Sequence, residues 1–142
     1  MHALYTAEVT STGGRDGRAV SSDAVLDLTL TMPKELGGKG AGGTNPEQLF
    51  AAGYSACFLN AIRYAGGQLS IPIPAEAQVT ARVTIGRNDT GGRARFALAV
   101  ELNVSLPVMA DPMRSKLLEA AHEVCPYSNA TRGTIDVRIT PV

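Results

Sequence analysis

The chain has 142 residues, of which 44% are hydrophobic and 18% charged; 13 Lys+Arg balance 13 Asp+Glu, for a formal net charge of zero. That length predicts one domain, 1–142, with a core large enough to need no disulfide or metal for stability. Zero net charge argues against a nucleic-acid binder working by phosphate neutralisation and against an anionic-membrane anchor.

No stretch reaches the roughly 18 apolar residues of a membrane span. The start, Met1-His2-Ala3-Leu4-Tyr5-Thr6, lacks the basic n-region and apolar run of a signal peptide. The expected location is therefore cytoplasmic, where thiols stay reduced. The two cysteines, Cys57 and Cys125, then read as catalytic, redox or simply buried rather than as a permanent staple.

In chain order, Leu4 to Thr10 is rich in β-formers and predicts a first strand. Thr12-Gly13-Gly14-Arg15-Asp16-Gly17-Arg18 marks a turn, and the residues around Val20 pair back as a second strand. Leu26, Leu28 and Leu30 alternate with Asp27, Thr29 and Thr31, the period-two pattern of a half-buried strand. Gly37 to Gly43 is a flexible hinge or lid and lacks the Gly-Lys-Ser/Thr ending of a phosphate-binding loop.

Asn45-Pro46 opens a helix: Asn is a preferred N-cap, Pro fits the first helical position, and Gln48 stands at the capping-box position. Leu49 to Ala65 is apolar nearly all round, which predicts a buried helix ended by Gly66-Gly67. Val79, Ala81, Val83 and Ile85 alternate, Asn88 to Gly92 reads as a hairpin turn, and Phe96, Leu98, Val100, Leu102 and Val104 alternate again. Asp111-Pro112 opens a second helix, which Pro126 stops just after Cys125. Ile135, Val137 and Ile139 form a last strand. The order β-β-β-α-β-β-α-β predicts an α+β fold with largely antiparallel sheet. A single small sheet covers one side of the first helix, so a homodimer is expected to enclose the other.

Few residues are candidates for chemistry. Cys57 is either a small buried hydrophobe or a nucleophile, and a nucleophile needs a nearby cation or helix N-terminus to favour its thiolate. Cys125 lies 68 residues later, too far for a CxxC motif, yet a distant pair can meet as an attacking and a resolving cysteine. Arg15 is a solvated turn arginine or the cation that lowers the Cys57 pKa and hydrogen-bonds substrate. Glu47 is a helix-dipole partner or the carboxylate that fixes Arg15 by a bidentate pair. Glu47 and Cys57 are ten residues apart, about 15 Å along a straight helix and roughly 80° around it. A break at the poor helix former Gly53 would move Cys57 to the first turn of a second helical piece. His122, three residues before Cys125, is within reach of a Cys–His pair, although such neighbours are common by accident. Two Cys and two His match a zinc count but no zinc spacing, so no metal is expected. Phe50, Tyr54 and Phe58 lie within eight residues of Cys57 and are candidates to line an apolar substrate approach as well as core.

Three segments carry a resemblance: Thr12 to Gly17, Thr44-Asn45-Pro46-Glu47-Gln48-Leu49-Phe50-Ala51-Ala52-Gly53-Tyr54-Ser55-Ala56-Cys57-Phe58, and Val124-Cys125-Pro126-Tyr127-Ser128-Asn129-Ala130-Thr131-Arg132-Gly133. They resemble the organic hydroperoxide resistance (Ohr) proteins of the OsmC superfamily, in that family's order, and the similarity covers essentially the whole chain. The resemblance implies largely antiparallel sheets wrapped around central helices in an intertwined homodimer. It implies a thiol peroxidase reducing organic hydroperoxides to alcohols. Cys57 matches the peroxidatic cysteine, Cys125 the resolving one, Arg15 the activating arginine and Glu47 its carboxylate partner, with no departure at these positions. It further implies a Cys57–Cys125 disulfide, an external dithiol reductant such as a lipoylated protein, and no metal or flavin. The alternatives are the OsmC branch with broader peroxide use, a non-turnover redox sensor or binding module, and a structural dimer with inert cysteines.

Overall fold

Strand pairing in the computed structural model is divided between two three-stranded sheets, ordered β1-β2-β3 and β4-β5-β6. The structure describes residues 1–88 and 95–142; most of the turn expected at Asn88 to Gly92 lies outside the described residues. The sheets belong to two compact units, Met1–Leu49 and Phe50–Val142. Among the described residues no helix is long and apolar enough to cross a membrane.

In the first unit β1 (Val9–Thr12), β2 (Gly17–Ser21) and β3 (Asp27–Leu30) form an antiparallel meander. The first strand is shorter and later than the Leu4–Thr10 pattern predicts. β2 ends opposite Val9 at Ser21, so most residues before Val9 have no partner strand; Leu4 and Tyr5 stand exposed. The β1–β2 turn places Gly13 and Gly14 at positive φ (71° and 62°), and a Cβ on Gly13 would meet the Asp16 carbonyl oxygen at 2.6 Å. Asp16 also ties this turn to the chain beyond β3, accepting a hydrogen bond from the Met32 N–H at 3.0 Å.

The glycine loop returns alongside β3, where Thr31 N–H donates to the Thr44 carbonyl at 2.8 Å. This delivers Asn45 as the cap of α1 (Pro46–Leu69): its side-chain oxygen accepts the Gln48 N–H at 2.9 Å. Gln48 does not complete a capping box, because its side chain is bound by the Thr44 hydroxyl at 2.7 Å. α1 runs unbroken through Gly53 and through Gly66-Gly67, beyond the expected end at Ala65. Gly53 and Gly66 are packing notches instead. A Cβ on Gly53 would lie 2.7 Å from the Tyr127 hydroxyl, and one on Gly66 would lie 2.6 Å from the Ile73 methyl. The helix stops after Leu69, where Ser70 turns left-handed and the Ile71 N–H caps the Gly66 carbonyl at 2.8 Å.

In the second unit β4 (Gln78–Asn88) and β5 (Arg95–Ser105) pair antiparallel over their whole length. β6 (Asp136–Pro141) adds to the other side of β5 in parallel, because helices lie between the two and make the connection a crossover. α2 (Met113–Val124) starts as expected, with Asp111 accepting the Ser115 N–H at 3.2 Å and its hydroxyl at 2.7 Å. α2 ends just before Cys125, as Pro126 requires, and Pro126 then begins a further helix that the sequence pattern does not predict, α3 (Pro126–Thr131).

The core of this unit sets Tyr54, Phe58, Ala61, Ile62 and Ala65 of α1 against Val100, Leu102 and Val104 of β5 and Leu117, Leu118 and Ala121 of α2. These α1 positions recur at three- and four-residue spacing, so one stripe of the helix is buried, rather than its whole circumference. Asn60, Arg63 and Tyr64 of the same helix are exposed. Phe58, with no exposed surface, is a core residue. Phe58→Ala is therefore expected to cost about 3–5 kcal/mol of unfolding free energy, measured by urea denaturation. A loss below about 1 kcal/mol would place Phe58 outside the cooperative core.

Candidate functional site

Arg15, lifted on the Gly13-Gly14 turn, meets Glu47 in the first turn of α1 within the first unit. The contact is a two-pronged fork: Nη1 donates to Oε2 at 2.8 Å and Nη2 to Oε1 at 2.6 Å. Only 13% of the Glu47 side chain and 31% of the Arg15 side chain remain exposed, so water competes weakly for the pair. The hydrogen bonds from Arg15 hold the Glu47 carboxyl below its ordinary range, against the burial that would raise it. The same bonds raise Arg15, which stays a cation.

In the second unit the two cysteines meet. Cys125 is fully buried, Cys57 is half-buried, and both are free thiols. The Cys125 thiol donates to the Cys57 sulfur across 3.6 Å. A disulfide needs about 2.05 Å between sulfurs, so bonding requires a small closure and no refolding. α1 brings Cys57, and the junction of α2 with α3 brings Cys125. The backbone of Tyr127, in the first turn of α3, also hydrogen-bonds Cys57 and favours its thiolate. Burial is the larger influence and pushes the Cys57 thiol up, as does the neighbouring Cys125. With α1 continuous through Gly53, Cys57 lies well inside α1, away from that helix's own N-terminus.

A cleft of about 350 Å³ opens beside Cys57, lined by Asn60, Ala61, Tyr64, Val124 and Pro126. Tyr54 and Phe58, expected to line an apolar approach, do not border it. Both are sealed in the core because they fall on the buried stripe of α1; Ala61, on the edge of that stripe, and the exposed Tyr64 follow Cys57 at four- and seven-residue spacing and reach the cleft. Phe50 is partly buried and stacks on Tyr127 with ring centroids 5.8 Å apart. No Cys–His pair forms. His122 Nδ1 is buried without a hydrogen-bond partner among the described residues, and burial lowers the His122 pKa. Among the described residues no three His, Cys, Asp or Glu side chains gather as a metal-ligand group.

Comparison with known proteins places these two constellations in context. A family model for OsmC-like proteins matches residues 37–140. The organic hydroperoxide resistance protein of Xanthomonas axonopodis pv. citri is 52% identical over 137 residues, covering 96% of this chain and 94% of that relative. The chain belongs to the OsmC/Ohr family. Its fold matches the crystal structure of the organic hydroperoxide resistance protein OhrB of Bacillus subtilis with a TM-score of 0.89 at 41% identity, covering 99% of this chain and 100% of that one. The Elizabethkingia anophelis organic hydroperoxide resistance protein aligns equally well, with a TM-score of 0.89 at 46% identity over 99% of this chain and 98% of that one. The α+β architecture with largely antiparallel sheets is thus the OsmC/Ohr fold.

The Arg15–Glu47 fork has a pH signature. Glu47 is depressed in the folded chain, so its contribution to stability is present above the ordinary Glu value near 4.3 and is lost as pH falls through the lower folded value. Arg15→Ala should therefore be less stable than wild type at pH 7, with the difference shrinking on acidification toward pH 3. Urea unfolding at the two pH values measures this, and an equal difference at both would contradict it.

Proposed function

We propose that this chain is a cysteine-based peroxidase that reduces organic hydroperoxides to alcohols and so serves resistance to oxidative stress. Two thiols 3.6 Å apart beside an open cleft carry this reading. The hydroperoxide-resistance names of its relatives support the substrate class. In the proposed cycle the Cys57 thiolate attacks one peroxide oxygen, the O–O bond breaks, and the alkoxide takes a proton and leaves as alcohol. Cys57, oxidised by two electrons, becomes a sulfenic acid. The Cys125 sulfur attacks it, water leaves, and a disulfide forms. An external dithiol, a lipoylated protein in this reading, restores both thiols by two exchanges. Neither metal nor flavin takes part.

The scheme needs a cation. Burial holds Cys57 toward the neutral thiol, and one backbone hydrogen bond is a small counterweight. We assign the cation to Arg15, held in a fixed orientation by Glu47. We take the working form to be an intertwined cytoplasmic homodimer, a reading supported by the exposed apolar side chains of Tyr64, Phe96 and Val124.

Cys57→Ser is expected to abolish dithiol-driven peroxide consumption, whereas Cys125→Ser completes one round and stalls with oxidised Cys57. Mass spectrometry after one equivalent of peroxide separates these outcomes, and full turnover by Cys57→Ser would sink the assignment. Arg15→Ala should raise the pH at which Cys57 is alkylated, and Arg15→Lys should rescue poorly because an ammonium lacks the planar fork. The apolar members of the cleft wall, Ala61, Tyr64, Val124 and Pro126, favour a substrate with a hydrocarbon tail. Each methylene buried there gains about 0.8 kcal/mol, so a few give orders of magnitude if the contact persists in the transition state. The ratio of kcat/KM for an aromatic or long-chain hydroperoxide to that for hydrogen peroxide measures this. A ratio near one would overturn the preference.

A further inference from the structure

We infer that the Tyr54 hydroxyl, through its buried hydrogen bonds to Ser128 and Thr131, is a positioning group that holds the Cys125 sulfur against Cys57. This deepens the proposed function and rests on its reading of the two cysteines as a redox pair.

The phenol oxygen of Tyr54 lies 3.0 Å from Ser128 Oγ and 3.2 Å from Thr131 Oγ1. Tyr54 and Ser128 have no exposed surface and Thr131 has 3%. Phe at position 54 would fill nearly the same volume without a polar atom to satisfy, so the hydroxyl must be explained by what it binds. One proton arrangement satisfies all three hydroxyls. Thr131 donates to the Tyr127 carbonyl at 2.9 Å, Tyr54 donates to Thr131, and Ser128 donates to Tyr54.

Both side-chain partners of Tyr54 belong to α3. That helix has six residues, and its buried members are Ser128 and Thr131. It docks on α1 through these hydroxyls together with the Tyr127 ring, whose centroid lies 5.8 Å from that of Phe50 and 5.5 Å from that of Tyr54. An apolar contact tolerates sliding, whereas hydrogen bonds with fixed directions set both the rotation and the height of the short helix. The neighbouring residue of α1 adds a steric stop. The missing side chain of Gly53 admits the Tyr127 ring, whose hydroxyl would lie 2.7 Å from a Cβ there. Residues 53 and 54 of α1 thus engage Tyr127, Ser128 and Thr131 together.

The keyed segment begins two residues beyond Cys125, across Pro126, whose ring restricts the backbone at Cys125. The position of α3 therefore dictates where the Cys125 sulfur stands. On α1, Cys57 is three residues from Tyr54, one of the neighbour spacings on a helix surface. The same short stretch of α1 presents Cys57 and fixes the element that brings Cys125 to it.

The test is the equilibrium of the purified chain with glutathione. One glutathione disulfide oxidises the two protein thiols, forming the Cys57–Cys125 disulfide and releasing two glutathione thiols. The constant reports how well the fold holds the two sulfurs together. Tyr54→Phe is expected to lower it tenfold or more, a shift of about 30 mV. Ser128→Ala should lower it as well, and the double substitution should add little to Tyr54→Phe, which already removes the Ser128 contact. Val104→Ala, in the core away from this contact, should lower Tm yet leave the constant within about twofold, separating positioning from general destabilisation. Folded Tyr54→Phe and Ser128→Ala variants with the wild-type constant would overturn the inference; if Tyr54→Phe does not fold, Ser128→Ala decides alone. The readout uses no peroxide. Failure of the wild-type chain to consume alkyl hydroperoxides would thus remove the peroxidase reading without touching this result.

Discussion

Pro126 denies Cys125 the helical backbone, and much of the second unit follows from that restriction. Cys125 is extended (φ −69°, ψ 119°) between α2 and α3, so the chain breaks its helix there and restarts at once. A break costs hydrogen bonds, and side chains from α3 and just beyond it replace two of them. The Cys125 N–H still closes on the Ala121 carbonyl at 3.0 Å. The two carbonyls that follow are taken by side chains from beyond α3, or from within it: Arg132 binds the His122 carbonyl and Asn129 the Glu123 carbonyl, each at 3.1 Å. The sharp turn thus keeps partners for the Cys125 N–H and for the His122 and Glu123 carbonyls, and the sulfur it carries is sealed in the core.

The first unit solves a different problem, which is how to aim one arginine. A turn with two consecutive left-handed glycines lifts Arg15 clear of the strands, and its length of side chain would otherwise leave the guanidinium free to wander. The fork with Glu47 removes that freedom. Asn45 and Pro46, by starting the helix where they do, decide where the carboxylate stands. A helix cap and a β-turn, each ordinary alone, together fix the direction of a charge.

Strand positions were legible wherever apolar and polar residues alternate, as along Phe96 to Val104, because one face of each strand meets a core. The start of α1 was legible because Asn, Pro and Gln each satisfy a known need of a helix end. The two cysteines and the Arg15–Glu47 fork were legible as candidate residues. What the sequence hid depends on contacts between distant segments. Gly53 and Gly66 read as weak points of a helix, yet each makes room for a side chain far along the chain or just past the helix end, and no local rule reports that. α3 was missed because a proline start and a polar face give no apolar period to detect. Its buried face is made of hydroxyls, which count as polar in any pattern. Tyr54 and Phe58 were placed at the substrate approach by closeness in sequence, whereas the buried stripe of α1 on which they fall seals both in the core next to the cleft. The parallel pairing of β6 was equally hidden, since alternation reveals a strand but not its neighbour's direction.

The unequal burial of the two sulfurs has a consequence for regiochemistry. In a disulfide both atoms are electrophilic, and an incoming thiolate chooses by access and by which thiol leaves more readily. Here access alone decides: Cys57 borders the cleft, while Cys125 has no exposed surface. In the disulfide of the proposed cycle a reductant arriving from solvent would therefore attack Cys57, with Cys125 as the leaving group. In the proposed cycle the mixed disulfide with a small thiol then sits on Cys57, the sulfur assigned there to meet the oxidant. In that cycle oxidant and reductant address the same atom through the one cleft beside it, so they alternate there and each excludes the other while bound.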